Sequence, residues 1–176
     1  MKKYELTKET KVIGGKTLFR IRALRSFGDI KAGDLGGFIE NERNLSHEGN
    51  AWVGDNAMVG GNARVDGDAW VDGDAWVSDN AQVGGDAWVG GYARVNGDGL
   101  INSNNDYLCE QGLGSHNRSA SFFKCKDGHI HVLCGCFDGN LDEFENKVKK
   151  EHGNSKYAKE YLGFIEVVKT HFEVRQ

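Results

Sequence analysis

A chain of 176 residues with a formal net charge of −4 has room for one medium domain, or for a rod with a smaller unit attached. This near-neutral balance excludes a protein held to nucleic acid by bulk charge, and no apolar run approaches the ~18 residues that a membrane-spanning helix needs. Met-Lys-Lys leads into a strand-like YELT rather than a signal-peptide core, so the expected location is the cytoplasm. The four Cys all lie in the last 70 or so residues, where reduced core thiols explain them as well as disulfides would. With 25 Gly and no Pro, turns must be made by residues at positive φ.

Residues 1–36 read as a β cap. YELT (Tyr4 to Thr7) is a strand, Gly14-Gly15 is a turn signal, and KTLFRIRAL alternates Leu18, Arg20 and Arg22 with Phe19, Ile21 and Ala23. Ile39 and Leu45 fall on the six-residue phase of the small inward residues that follow, which predicts an irregular first coil from about Gly37.

From Asn50 the text runs NAWVGD NAMVGG NARVDG DAWVDG DAWVSD NAQVGG DAWVGG YARVNG DGLINS, nine units of six without an insertion. Ala or Gly recurs at 51, 57 and onward to 99, and Val or Ile at 53, 59 and onward to 101. Residues two apart in an extended segment share a face, so each Ala/Val pair points inward and the residue between them outward. The Gly, Asp, Asn and Ser that follow tolerate the left-handed corner. Such a unit closes most simply into a three-sided prism of 18 residues per coil, mainly β, spanning residues 37–106. The pattern V-G-D-N-A-M and its successors resembles the left-handed β-helix, hexapeptide-repeat family, and the left-handed coil is what that resemblance implies.

Side chains 18 apart then stack in columns. One is Trp52, Trp70, Trp88; a second is Met58, Trp76, Arg94; the third is Arg64, Gln82, Leu100. Stacked indoles form an apolar patch that needs cover, from a terminal segment or from another subunit, and Trp52, Trp70, Trp76 and Trp88 are the candidate interface of a dimer or trimer.

Residues 107–176 read as an α+β unit. SASFFKC and HIHVLCGCF form a hairpin about Asp127-Gly128; pairing Lys126 with His129 sets Phe123, Cys125, Ile130, Val132, Cys134 and Cys136 on one face and Lys124, Lys126, His129 and His131 on the other. A helix opens at Asn140 with Glu143 three residues on, carries Leu141, Phe144 and Val148, and stops at Gly153. A second starts near Ser155 with Tyr157, Tyr161, Ile165, Val168 and Phe172 at helical spacing. The acidic coils between a basic cap and an end reading GLGSHNR, CGCF, LDEF and HGNSKYAKEYL resemble accessory proteins of phages and prophages, which implies binding directed at a host or its defences.

Four constellations bear on chemistry. Acyltransferases of the hexapeptide family use a His on a coil loop; no His lies between 48 and 115, and His47 is the one candidate, so a non-catalytic protein without cofactor is expected. Strand alternation turns His129 and His131 away from Cys134 and Cys136, so buried thiols and solvated imidazoles are expected rather than a metal site. Gly114, Ser115, His116, Asn117, Arg118 and Ser119 could surround an anionic, nucleotide-like small molecule with backbone N–H groups and a guanidinium, helped by Lys124 and His131; a plain glycine turn is the alternative. Asp66, Asp68, Asp72, Asp74, Asp79 and Asp86 are acidic corners, either a nucleic-acid mimic aimed at a host protein or turn residues chosen for their backbone conformation.

Overall fold

Each hexapeptide contributes a two-residue strand and a corner. The computed structural model describes residues 1–174, in two compact units, Met1–Asn104 and Asn105–Gln176. In the first, the strands are β4 (Trp52–Val53), β5 (Met58–Val59), β6 (Arg64–Val65), β7 (Trp70–Val71), β8 (Trp76–Val77), β9 (Gln82–Val83), β10 (Trp88–Val89), β11 (Arg94–Val95) and β12 (Leu100–Ile101). They pair in parallel 18 residues apart, Trp52 with Trp70 with Trp88, Met58 with Trp76 with Arg94, and Arg64 with Gln82 with Leu100. The result is a β-solenoid of eighteen-residue coils. Ala51 to Ala93 and Val53 to Val95 are buried inside it. In each of the first eight units one residue takes positive φ: Asp55, Gly61, Gly67, Gly73, Asp79, Gly85, Gly91 and Gly97. At Gly85 a Cβ would lie 2.2 Å from the Asn102 carbonyl oxygen, so two coils approach there closely enough to require a bare backbone.

The cap is a hairpin that extends one face of the prism. β1 (Tyr4–Ile13) and β2 (Lys16–Ala23) are joined by Gly14-Gly15, both at positive φ as a tight hairpin turn requires. β2 pairs antiparallel with β3 (Leu35–Ile39), and β3 pairs parallel with β5, so the sheet runs β1-β2-β3-β5-β8-β11. The irregular coil differs in phase from the sequence reading. Ile39 stacks under Val59 and Leu45 under Val65, twenty residues apart rather than eighteen, so both occupy the Val column and not the Ala column. The two extra residues lie between Leu45 and Val53, in a segment held by the N-terminus. Lys3 Nζ donates to the Ala51 carbonyl at 2.7 Å, and Lys3 N–H donates to His47 Nδ1 at 3.2 Å. Asn44 closes the same end, its amide donating to the Ala63 carbonyl at 2.8 Å.

Lys3 is fully buried, and that burial, reinforced by the Arg25 charge, lowers its pKa to about 8. A lysine with a depressed folded pKa binds fewer protons than in the unfolded chain between that value and its ordinary 10.5, so its contribution to stability rises with pH from about 8. Buried Cys134 and half-buried Cys109, both shifted upward by burial, lose stability in the other direction as pH climbs through the usual thiol range near 9. Urea unfolding from pH 7 to 9 should therefore show a rise above pH 8 that Lys3→Met removes; the same pH profile in both proteins would refute this role for the ammonium.

Trp52 is only 2% exposed. Phe27 packs edge-on against its indole with centroids 5.4 Å apart, and a Cβ on Gly36 would come within 2.6 Å of the ring. The chain's own N-terminal segment covers Trp52, which corrects its assignment to a subunit interface. Trp70 and Trp76 are half-buried, the latter under the Arg94 guanidinium at 5.3 Å, while Trp88 stays 57% exposed.

The second unit is larger than a hairpin and two helices. Its sheet runs β13 (Tyr107–Leu113), β14 (Arg118–Lys124), β15 (Ile130–Cys134), β16 (Phe137–Asn140), all antiparallel, with α1 (Leu141–His152) and α2 (Lys156–His171) following. β13 and β16 escape a sequence reading because YLCEQGL has no clean alternation and FDGN looks like a turn. Asn140 and Glu143 form the expected reciprocal cap, at 2.9 and 3.0 Å, and Gly153 ends α1 at positive φ. Phe122, Val132, Phe144, Ile165 and Val168 lie in one apolar core.

The central hairpin is one residue out of the expected register. Cys125 N–H donates to the His129 carbonyl and Gly128 N–H to the Cys125 carbonyl, both at 2.9 Å, so the loop is Lys126-Asp127-Gly128 with Gly128 at φ +88°. Three-residue loops of this kind carry a bulge that a two-residue Asp-Gly turn lacks. Lys124 consequently pairs with Ile130 and Phe123 with His131. Lys124 shares the face of Phe122 and Val132, and Cys125 belongs with His129 and His131 on the other.

Candidate functional site

The 112–119 segment bulges because β13 and β14 lose register between Glu110 and Leu113, with Leu113 then opposite Arg118. Gly112, Gly114 and Asn117 all take positive φ, and Asn117 N–H returns to the Gly114 carbonyl at 3.3 Å. Gly114 has to be glycine, since a Cβ there would lie 2.3 Å from the Tyr161 hydroxyl. That hydroxyl donates to the Leu113 carbonyl at 3.4 Å, and burial, aided by neighbouring Cys134, pushes its pKa up to about 12, so it remains a protonated donor.

Arg118 is the first residue of β14 and is half-buried. Its guanidinium lies across Gly135 in the β15–β16 turn, where an added Cβ would sit 1.8 Å from a terminal nitrogen. Among the described residues it has no carboxylate partner. The cavity it lines is about 250 Å³, with Ser115, His116, Lys147 and His152 supplying further polar groups, Glu151 the one carboxylate, and Phe137, Phe144 and Val148 an apolar wall. Glu151 is already engaged, since it pairs with Lys147 at 2.9 Å. Ser115 Oγ and His116 Nδ1 lie 2.9 Å apart, and His152 stacks on Tyr161 with centroids at 5.6 Å. The arrangement offers donors and positive charge to an anion and no uncommitted carboxylate to repel it.

Of the residues singled out from the sequence, Ser115, His116 and Arg118 come together in this cavity, and Gly114 shapes its floor against Tyr161. Asn117 forms the exposed corner of the turn, and Ser119 falls on the opposite face of β14 by strand alternation. Lys124 and His131 do not take part. Lys124 pairs with Asp106 at 2.9 Å, and His131 lies on the other face of the sheet, bonded to Asp138. Lys147, His152 and Tyr161 are additions, brought in by α1 and α2; in the sequence they look like ordinary helix residues.

Several of the solenoid's candidate groups are committed locally, among them Asp68, whose carboxylate accepts from Asn50 N–H and the Asn50 amide at 3.1 and 2.9 Å. Asp55 and Asp79 carboxylates accept from Gly73 and Gly97 N–H, at 3.3 and 3.2 Å, one coil on. Asp72 accepts from the Trp88 indole at 2.7 Å, while burial raises its pKa. His47 stacks on Tyr4 with centroids at 4.4 Å and uses Nδ1 to receive Lys3 N–H. Comparison of the sequence with protein-family models and with curated proteins finds no match.

Proposed function

We propose that this is a non-catalytic binding protein that captures an anionic, nucleotide-like small molecule at the Arg118 cavity. One observation carries the reading: a half-buried guanidinium lines a cavity without a carboxylate partner among the described residues. A half-buried charge without a counter-ion has lost part of its hydration without a partner in return, and an incoming anion supplies that partner. At about 250 Å³ the cavity suits a phosphate or carboxylate group, with the rest of the ligand outside it. Calorimetric titration with inorganic phosphate and a nucleotide panel tests this; absence of binding by every member would sink it.

The wider setting that the resemblance implies is a left-handed hexapeptide-repeat solenoid with a phage-type accessory or anti-defence role, to which the sequence's own features add action in the cytoplasm and a homo-oligomer. Exposed Trp88 is the observation that supports self-association. Light scattering should report a dimer or trimer, and a 19.4 kDa species at micromolar concentration would contradict it. Acidic corners that mimic nucleic acid, and acyl transfer through His47, are the less favoured readings, because Asp68, Asp72, Asp79 and His47 already serve the fold.

A further inference from the structure

The corrected hairpin register gathers three metal-binding side chains on the sheet face opposite the Arg118 cavity. Cys125, His129 and His131 present donor atoms within 4.8 Å of one another. We propose that they bind a tetrahedral divalent transition-metal ion, zinc by its ligand preference, and leave one coordination position open.

The first support is distance. His129 Nε2 and His131 Nδ1 are 3.3 Å apart. Two imidazole nitrogens at ~2.0–2.1 Å from a tetrahedral ion are separated by about 3.3 Å, so the pair already has the edge length the ion requires. A thiolate completes a mixed nitrogen and sulfur set, which suits zinc better than magnesium or calcium.

The second support is independent and concerns the other ring nitrogens. His129 Nδ1 lies 2.5 Å from Asp127 Oδ1, and His131 Nε2 lies 2.7 Å from Asp138 Oδ1. Ionised carboxylates only accept, so these two nitrogens carry the protons. In neutral rings that leaves His129 Nε2 and His131 Nδ1 facing each other as lone pairs, an arrangement that requires a proton or a cation between them. Carboxylates holding the outer N–H of each ligand are also the partners that metal-bound histidines use to fix ring orientation. Phe123, against the His131 ring at 5.3 Å, holds it from the side.

Access and chemistry are consistent. The His129 side chain is 41% exposed, which gives an ion a path, while Cys125 is buried at 6%. On binding, the Cys125 thiol releases its proton to solvent and the thiolate coordinates; nothing is oxidised or reduced. Three protein ligands leave the fourth position to water or to an exchangeable ligand.

Tag-free protein titrated with cobalt(II), then displaced by zinc, tests the site directly. One equivalent should bind with the intense visible bands of tetrahedral cobalt and a near-ultraviolet sulfur-to-cobalt charge-transfer band. Cys125→Ser should lose that charge-transfer band. His129→Gln, at an exposed position that leaves the fold intact, should weaken binding by more than the ~10–100-fold expected for Asp138→Asn, which removes only a supporting carboxylate. No cobalt or zinc binding at micromolar protein, a spectrum without the sulfur band, or unchanged affinity in His129→Gln would overturn the proposal, and a shared proton would then be what joins the two rings.

Discussion

Val71→Asp and Val77→Asp should each abolish soluble folding. Both side chains are fully buried, Val71 between Val53 and Val89 and Val77 between Val59 and Val95. The prism wall spends its backbone groups on the rungs between coils, as in Gly54 N–H to Val71 O at 2.8 Å and Asp72 N–H to Val89 O at 3.0 Å. An introduced carboxyl group therefore meets neither water nor a donor, and burying it costs about 4 kcal/mol or more. Against a total stability of roughly 5–15 kcal/mol, that loss decides whether the chain folds. Gln82→Asp is the control, because Gln82 lies on the third wall of the prism, points outward and is exposed; a change there is worth about 0.5 kcal/mol or less. Thermal melts of the soluble fractions make the comparison. A Val71→Asp protein that melts within a few degrees of its parent would show that the Val column does not face inward.

The solenoid was legible because its information is periodic. Each six-residue unit repeats the same choice of small, outward, aliphatic and corner residue, and one misread unit would not disturb the rest. Legibility ended where the period broke. In the sequence Ile39 and Leu45 continue the Ala phase, yet the loop between Leu45 and Val53 is two residues longer, and Lys3 reaches its carbonyls from far away in sequence. Trp52 was visible as an apolar surface in need of cover, but only packing could show that Phe27 and Gly36 supply it.

The second unit shows how one turn changes a site. Asp127-Gly128 reads as a two-residue hairpin turn, and that reading separates Cys125 from the two histidines. The bulged three-residue loop moves every side chain of one strand to the other face relative to its partner, which unites Cys125 with His129 and His131 and removes Lys124 from them. The anion cavity was half legible. Gly112 and Gly114 just before Ser115, and a lone Arg118, mark the loop in the sequence, whereas Lys147, His152 and Gly135 enter through tertiary packing alone.

Arg118→Ala should lower affinity for an anionic ligand by about 1.5–3 kcal/mol, a loss of roughly 10- to 150-fold. The guanidinium rests on Gly135, at the wall of the cavity, and its forked, planar donors are not reproduced by a lysine ammonium. Removing it should leave the fold in place, because it holds no ion pair among the described residues and the core of Phe122, Val132 and Phe144 is untouched. Lys124→Ala is the comparison that separates local from general charge effects. It also deletes one cation from the same unit, but that cation is engaged by Asp106. The most direct test of the account is calorimetric titration of the parent, Arg118→Ala and Lys124→Ala proteins with inorganic phosphate and a nucleotide panel. The account predicts saturable binding by the parent, a loss of at least about tenfold in Arg118→Ala, and near-parental affinity in Lys124→Ala. Equal affinity in the parent and Arg118→Ala proteins, or no binding by any of the three, would contradict it.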